Sequence, residues 1–291
     1  QAIRKKKFKI VIDYSYGIAS TIFPSILGEF NMDIVSLSAH LDKEKITRTE
    51  EEFHKSQKNF YDVVKSLQYD IGFMIDAGGE KIWLVTPHRN VFSGERFLTL
   101  VLKMFLIVNR HVKKIAVPVR ATGEVDLVAR EFGTEVMRVK DTHYAMMMAC
   151  DDKDVGFVGG VFGGFLFPDF LYATDGMFTV AKILELVAKS GYSIEELDSN
   201  SPKLHLLKEN IPCTREEKGT VMRRFMESTM EYPQELIDGV KIFLDKDTTV
   251  LCFPDKDRNF VHLNVESRTK ARTAKVMKDF KKMVKGYLSE D

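Results

Sequence analysis

From Phe8 to Ser190 the chain alternates short β-branched runs with helix-length stretches, and that alternation confines it to βαβ units built on sheets. Phe8–Asp13, Asp33–Leu37, Ile71–Ile75, Lys81–Val85, Ile115–Pro118, Glu135–Val139 and Val155–Val158 read as strands. Helices are expected over Ile18–Leu27, from the charged stretch Asp42–Glu52 to Leu67, over Glu95–Arg110, from about Gly123 to Phe132, and over Thr174–Ser190. The last of these is read with Thr174 as its cap and Asp175 in its first turn. After the polar stretch Asp198–Lys203 the pattern changes. Arg215–Met230 and Thr269–Leu288 read as helices, with short strands at Val240–Leu244, Val250–Pro254 and Phe260–Val265 gathered between them. Two βαβ modules followed by a small α+β domain account for the whole chain.

Charge and cysteine content narrow the function classes. A net charge of +1 with 29% charged residues gives no electrostatic case for nucleic acid or an anionic membrane. The Arg4–Lys7 run is read as a solvated tail. No stretch reaches the ~18 apolar residues of a membrane span; Leu98–Val108 is too short and reads as a buried helix. Cys150, Cys213 and Cys252 are few and widely spaced, which favours a reduced, cytoplasmic setting, and no signal peptide is visible. Gln1 is not an initiator Met, so a fragment or processed product is expected.

Two segments suggest chemistry. In Ile71–Val85, two apolar runs flank the turn Asp76-Ala77-Gly78-Gly79-Glu80-Lys81. Alternate side chains of such a turn can aim oxygens at one cation, but the middle position is Gly78, and Mg²⁺ needs a near-complete set of hard oxygen ligands. The second segment, Gly159-Gly160-Val161-Phe162-Gly163-Gly164, lacks the helix that a dinucleotide loop requires directly after it, because Phe165-Leu166-Phe167-Pro168 follows.

The first turn resembles the D-G-D-G-D-R metal loop of the α-D-phosphohexomutases (phosphomannomutase/phosphoglucomutase), with Gly78, Glu80 and Lys81 at the second Asp, third Asp and Arg places. The likeness continues in order. Lys9–Gly17 is similar to the opening of the family's second domain, Ala116–Lys140 to the third domain's first βαβ unit, Gly156–Gly176 to the sugar-recognition segment, and Asp238–Val265 to the fourth domain with its phosphate loop. Cys213–Glu227 resembles a segment of mutase-like domains fused behind a mannose-1-phosphate guanylyltransferase-like nucleotidyltransferase. The resemblance implies an α/β fold class: two phosphohexomutase-type α/β/α domains with mixed sheets, then a small α+β domain. The boundaries follow as 1–111, 112–199 and 200–291.

It also implies site residues. Asp76 and Glu80 would face Mg, the cofactor of the intact family, with none expected bound tightly here. Gly159, Gly160, Gly164 and Lys81 would face a sugar phosphate, although Val161, Gly163 and Phe165 hold the places of the family's Glu, Ser and His. Lys140 and His143 stand where the family has a Lys and a His near the transferring phosphate. Lys256 and Arg258 are the cations of the last loop, where Asp255 and Asp257 replace Ser and Thr and are expected to stay exposed. The family's phosphoserine loop, T-A-S-H-N-P-like, belongs to a first domain, and no such loop occurs in this sequence. The expected function is a catalytically degenerate mutase-like region, a scaffold or regulatory part of a sugar-1-phosphate nucleotidyltransferase. The alternative is a functional hexose-phosphate mutase whose phosphoserine domain lies outside this chain. Expected partners are a sugar phosphate, an upstream nucleotidyltransferase and a mutase-like first domain, with oligomers possible and neither nucleic acid nor membrane.

Overall fold

Ile3 is an apolar residue among cations, and it turns the expected solvated tail into a helix: α1 (Ala2–Lys6) buries Ile3 and ends at Lys7 in the left-handed region, φ 52°. The structure, a computed structural model, describes residues 1–288. They divide into two compact units, residues 1–117, 128–137 and 143–201 in the first, and residues 118–127, 138–142 and 202 onward in the second.

The first unit carries two sheets. β1 (Lys9–Asp13) leads through a 3₁₀ turn, Ile18–Thr21, into α2 (Phe23–Gly28). The expected single helix over Ile18–Leu27 is thus broken, because Pro24 has no N–H to donate into a preceding turn and starts a helix instead. β2 (Asp33–Leu37), α3 (Glu50–Leu67), β3 (Ile71–Ile75), β4 (Ile82–Thr86) and β5 (Arg89–Phe92) complete the first module. Its strand order is β2-β1-β3-β4-β5, with β1 parallel to β2 and β3, and β4 antiparallel to β3. α3 starts from a reciprocal cap: Thr49 Oγ1 accepts from Glu52 N at 3.2 Å and Glu52 Oε2 accepts from Thr49 N at 2.7 Å. Phe60 and Val64, one turn apart on α3, share an apolar cluster with Val11, Met74 and Val85.

α4 (Gly94–Val108) is buried from Phe97 to Leu106. Then come β6 (Lys114–Pro118), α5 (Glu124–Glu131), β7 (Glu135–Val139), α6 (His143–Ala149), β8 (Val155–Gly159), β9 (Phe165–Leu166), α7 (Gly176–Ser190) and α8 (Ile194–Ser199). The second sheet runs β7-β6-β8-β9, mixed like the first, with β6 parallel to β8 and β9 antiparallel to it. α4 packs on α7, α8 and β8. Asp175, rather than Thr174, caps α7, its Oδ1 accepting from Phe178 N at 2.9 Å.

The second unit is built on an antiparallel sheet, β10-β14-β13-β12-β11. In chain order it comprises β10 (His205–Pro212), α9 (Arg215–Ser228), β11 (Gln234–Glu235), β12 (Val240–Asp245), β13 (Thr248–Pro254), β14 (Phe260–Ser267) and α10 (Lys270–Leu288). Val221 and Phe225 of α9 and Val276, Met277, Phe280 and Val284 of α10 pack with Ile242, Val250, Leu263 and Val265 in one cluster. Together the three sheets give an α/β fold with mixed sheets and a small α+β C-terminal domain. Among the described residues no helix is long and apolar enough to cross a membrane. Cys150, Cys213 and Cys252 are free and buried.

Candidate functional site

The turn between β3 and β4 is held by its own first residue. Asp76 Oδ1 accepts from Glu80 N at 2.7 Å and Lys81 N at 2.8 Å, while Asp76 N donates to Lys81 O at 2.9 Å. Gly78 and Glu80 are exposed, and among the described residues no group of three or more His, Cys, Asp or Glu could hold a metal. With one oxygen of Asp76 engaged by two amides and no side-chain oxygen at position 78, the turn does not fit Mg²⁺ as a carboxylate cage would. A Cβ at Gly78 would lie 3.7 Å from Asp76 Oδ2, an ordinary van der Waals contact.

The glycine-rich turn after β8 docks on this one. Ile82 N donates to Gly163 O at 3.1 Å, and Gly176 N to Gly79 O at 2.7 Å. Gly163 has φ 83°, and a Cβ there would collide with the Ile82 carbonyl oxygen, so two independent demands select glycine. A Cβ on Gly176 would lie 2.9 Å from Gly79 O. Gly160 N donates to Gly164 O at 2.9 Å, closing the turn, and the Lys81 stem passes 3.9 Å from where a Gly164 Cβ would sit. Gly159 has a packing role: a Cβ there would strike Leu98 and Phe157. Of the expected sugar-facing residues, Gly160, Gly164 and Lys81 therefore come together beside Asp76 and Glu80. Val161 is buried, and Phe165 packs at 5.3 Å from Phe97 in the aromatic core, so neither presents a polar group. Thr174, read from the sequence only as a helix cap, lies instead against the same turn, its Cγ2 3.0 Å from a Gly164 Cβ position.

Lys140 is exposed at the end of β7, and His143 is exposed as the first residue of α6. In the second unit Arg120 Nε pairs with Asp141 at 2.6 Å, and Asp141 N donates to Asp238 Oδ2 at 3.1 Å. The turn between β13 and β14 corrects an expectation. Asp255 is folded inward: Oδ1 accepts from Asp257 N at 2.9 Å and Arg258 N at 2.6 Å, and Oδ2 meets His262 Nε2 at 3.0 Å. The amides, Arg258 N foremost, hold the Asp255 carboxyl down at about 2 against its partial desolvation. Burial pushes the His262 imidazole down, and Asp255 opposes that. Lys218 Nζ donates to Asp255 O at 2.7 Å and Arg258 O at 2.6 Å, tying the turn to α9. Asp257 and Arg258 are exposed, and Lys256 reaches Asp238 at 3.8 Å. This turn borders a cavity of about 640 Å³, lined wholly by residues of the second unit. Sequence reading missed Lys218 and His262, since the cross-strand pairing Phe253↔His262 is what brings the histidine to the turn.

Residues 1–89 match the phosphoglucomutase/phosphomannomutase alpha/beta/alpha domain II, and residues 93–204 match domain III. A phosphoglucomutase/phosphomannomutase of Thermococcus kodakarensis is 28% identical over 246 residues, covering 84% of this chain and 54% of the relative. A phosphoglucosamine/phosphogalactosamine mutase of Sulfurisphaera tokodaii is 26% identical over 294 residues, covering 98% of this chain and 64% of the relative. The chain thus spans less than two thirds of the length of these relatives. In fold, it is similar to a phosphoglucomutase/phosphomannomutase family protein of Burkholderia thailandensis, TM-score 0.80 at 20% identity, over 99% of this chain and 64% of the other. An Aspergillus fumigatus N-acetylphosphoglucosamine mutase solved with GlcNAc-6P and magnesium aligns with TM-score 0.64 at 12% identity, over 99% of this chain and 67% of the other. With both models matched consecutively along residues 1–204, the chain belongs to the phosphoglucomutase/phosphomannomutase family.

Proposed function

We propose that this chain supplies the sugar- and phosphate-handling domains of a hexose-phosphate mutase, an intramolecular phosphotransferase. The phosphoryl-carrying serine then belongs to the part of the relatives' length that the chain does not span. Residues from about 200 onward act as the fourth domain. The observation that carries this reading is the docking of the Asp76–Lys81 and Gly160–Gly164 turns, enforced by Gly163 and Gly176. Lys81 is the cation carried by the first of these turns, where its ammonium could stabilise a phosphoryl oxygen as a point charge. Catalysis of phosphoryl transfer is mostly positioning and charge stabilisation, so rigid turns are what this part must provide.

The mutase names of the relatives favour this reading over the nucleotidyltransferase-fusion scaffold expected from Cys213–Glu227. A second reading, a fold retained after its chemistry is lost, draws support from Gly78, Val161 and Phe165, which put no polar side chain in either turn. Calorimetric titration with glucosamine 6-phosphate, glucose 6-phosphate and mannose 6-phosphate separates the two. Saturable binding of one of them, weakened at least tenfold by Lys81→Ala, supports the mutase reading. Absence of binding at millimolar sugar phosphate supports the retained fold.

A further inference from the structure

The first unit holds a cavity of about 460 Å³ that no residue of the docked turns lines, in the size range that encloses small ligands. β3 begins in it at Ile71 and ends at Ile75, so the cavity lies at the opposite end of that strand from the Asp76–Lys81 turn, roughly 17 Å away. β4 returns to it, with Pro87 and His88 directly after Thr86. The buried members of its lining are apolar: Phe8, Ile71, Val187 and Ile194. Tyr192, 49% exposed, adds an aromatic ring left facing water.

The polar side chains of the lining divide into those already engaged and those left over. Gln68 Nε2 donates to Lys65 O at 2.6 Å, Tyr69 OH donates to Asp33 Oδ2 at 3.0 Å, and Asp70 Oδ2 accepts from Lys9 N at 2.8 Å. Ser193 and Glu196 accept from each other's amides at the start of α8. Lys6, His88, Glu195 and the Tyr192 hydroxyl make no side-chain hydrogen bond or ion pair among the described residues. Lys6 and Glu195 thus line one cavity with opposite charges that do not pair with each other. Opposite charges held apart beside an apolar wall suit a ligand that carries an anion and a cation on an apolar body. A sugar phosphate would meet Lys6, but its hydroxyls would lose water against Ile71, Val187 and Ile194 without gaining partners there.

We propose that this cavity binds a free α-amino acid with a bulky apolar side chain, its carboxylate toward Lys6, its ammonium toward Glu195 and its side chain against Ile71, Val187, Ile194 and Tyr192. The inference goes beyond the mutase reading and does not depend on it, since no residue of the docked turns takes part. The test is calorimetric titration of the chain with L-phenylalanine and L-leucine. Three partial ligands run beside them: 3-phenylpropionate without the ammonium, 2-phenylethylamine without the carboxylate, and glycine without the side chain. The expected result is saturable binding of phenylalanine or leucine, at least tenfold tighter than any of the three. Glu195→Gln weakens the amino acid at least tenfold, the loss of a charged hydrogen bond, and leaves phenylpropionate unchanged. Lys6→Met weakens the amino acid and leaves phenylethylamine unchanged. Lys6 is exposed, Glu195 is half-buried and neither holds another residue, so both variants fold, which circular dichroism verifies. No saturable binding of either amino acid at millimolar concentration, binding no tighter than that of the partial ligands, or binding indifferent to Glu195→Gln overturns the proposal. Glucosamine 6-phosphate binding that is the same in Glu195→Gln leaves the mutase reading standing whichever way the amino-acid result falls. Glucosamine 6-phosphate binding that Glu195→Gln weakens would give the cavity to the sugar phosphate and overturn the amino-acid assignment.

Discussion

Gly163 is where the account is most exposed to a single substitution. Gly163→Ala places a methyl group against the Ile82 carbonyl oxygen in a backbone conformation, φ 83°, that alanine resists. We predict a loss of about 2–4 kcal/mol in urea denaturation of the first unit, the range for a strained backbone position combined with overpacking. Lys241 offers a second test, with a sign fixed by linkage. Burial, and next to it the Arg138 guanidinium, push its ammonium down to about 8, with Asp126, Glu235 and Glu266 opposing. An amine lowered in the folded state from an unfolded value near ~10.4 binds fewer protons folded than unfolded between those two values. Stability should therefore rise as pH climbs from about 8 toward ~10.4, and Lys241→Met should remove that rise, by on the order of 3 kcal/mol, while stabilising the protein at pH 7. Denaturation midpoints at pH 7, 8, 9 and 10 for both proteins check this. A wild-type rise that persists in Lys241→Met would place the cause elsewhere. At this scale the sequence was partly readable. Gly78 was read as a gap in the alternation of a metal loop, and in the folded turn a Cβ there would meet only ordinary contacts. Asp255 misled, because its charge suggested hydration while the amides of Asp257 and Arg258 gave it local partners.

Elements were legible where a local signal decides them and obscure where pairing decides them. α3 was read from its charged approach and its end near Leu67, and the structure starts it at Thr49 and Glu52, whose reciprocal hydrogen bonds satisfy donors that a helix start otherwise leaves open. Thr49→Ala should cost about 1 kcal/mol by urea denaturation, and Thr49→Ser much less, since serine restores the acceptor. Equal losses in the two variants would show that the methyl group, not the cap, matters. β10 stayed hidden because His205–Pro212 carries mostly exposed, unpatterned residues; only its full-length pairing with β14, from His205↔Ser267 to Pro212↔Phe260, makes it a strand. α1 stayed hidden for the opposite reason, one buried Ile3 outweighing a run of cations. The 18–28 segment shows a helical pattern interrupted by a local rule, Pro24 restarting the helix after the 3₁₀ turn.

For the whole molecule, the order of modules was legible from the order of motifs, and the family models confirm domains II and III over residues 1–204. The packing was not: the first two modules share one unit because α4, read as the end of the first, buries its apolar length on α7, α8 and β8. The central claim is that the two glycine-bearing turns of that unit remain a phosphosugar site. Its most direct test is chemical-shift mapping of backbone amides in the ¹⁵N-labelled chain on titration with glucosamine 6-phosphate. The account predicts saturable shifts concentrated at Asp76–Lys81 and Gly159–Gly164, with the rest of the first unit little changed. Shifts confined to other segments, or none at millimolar sugar phosphate, would contradict it.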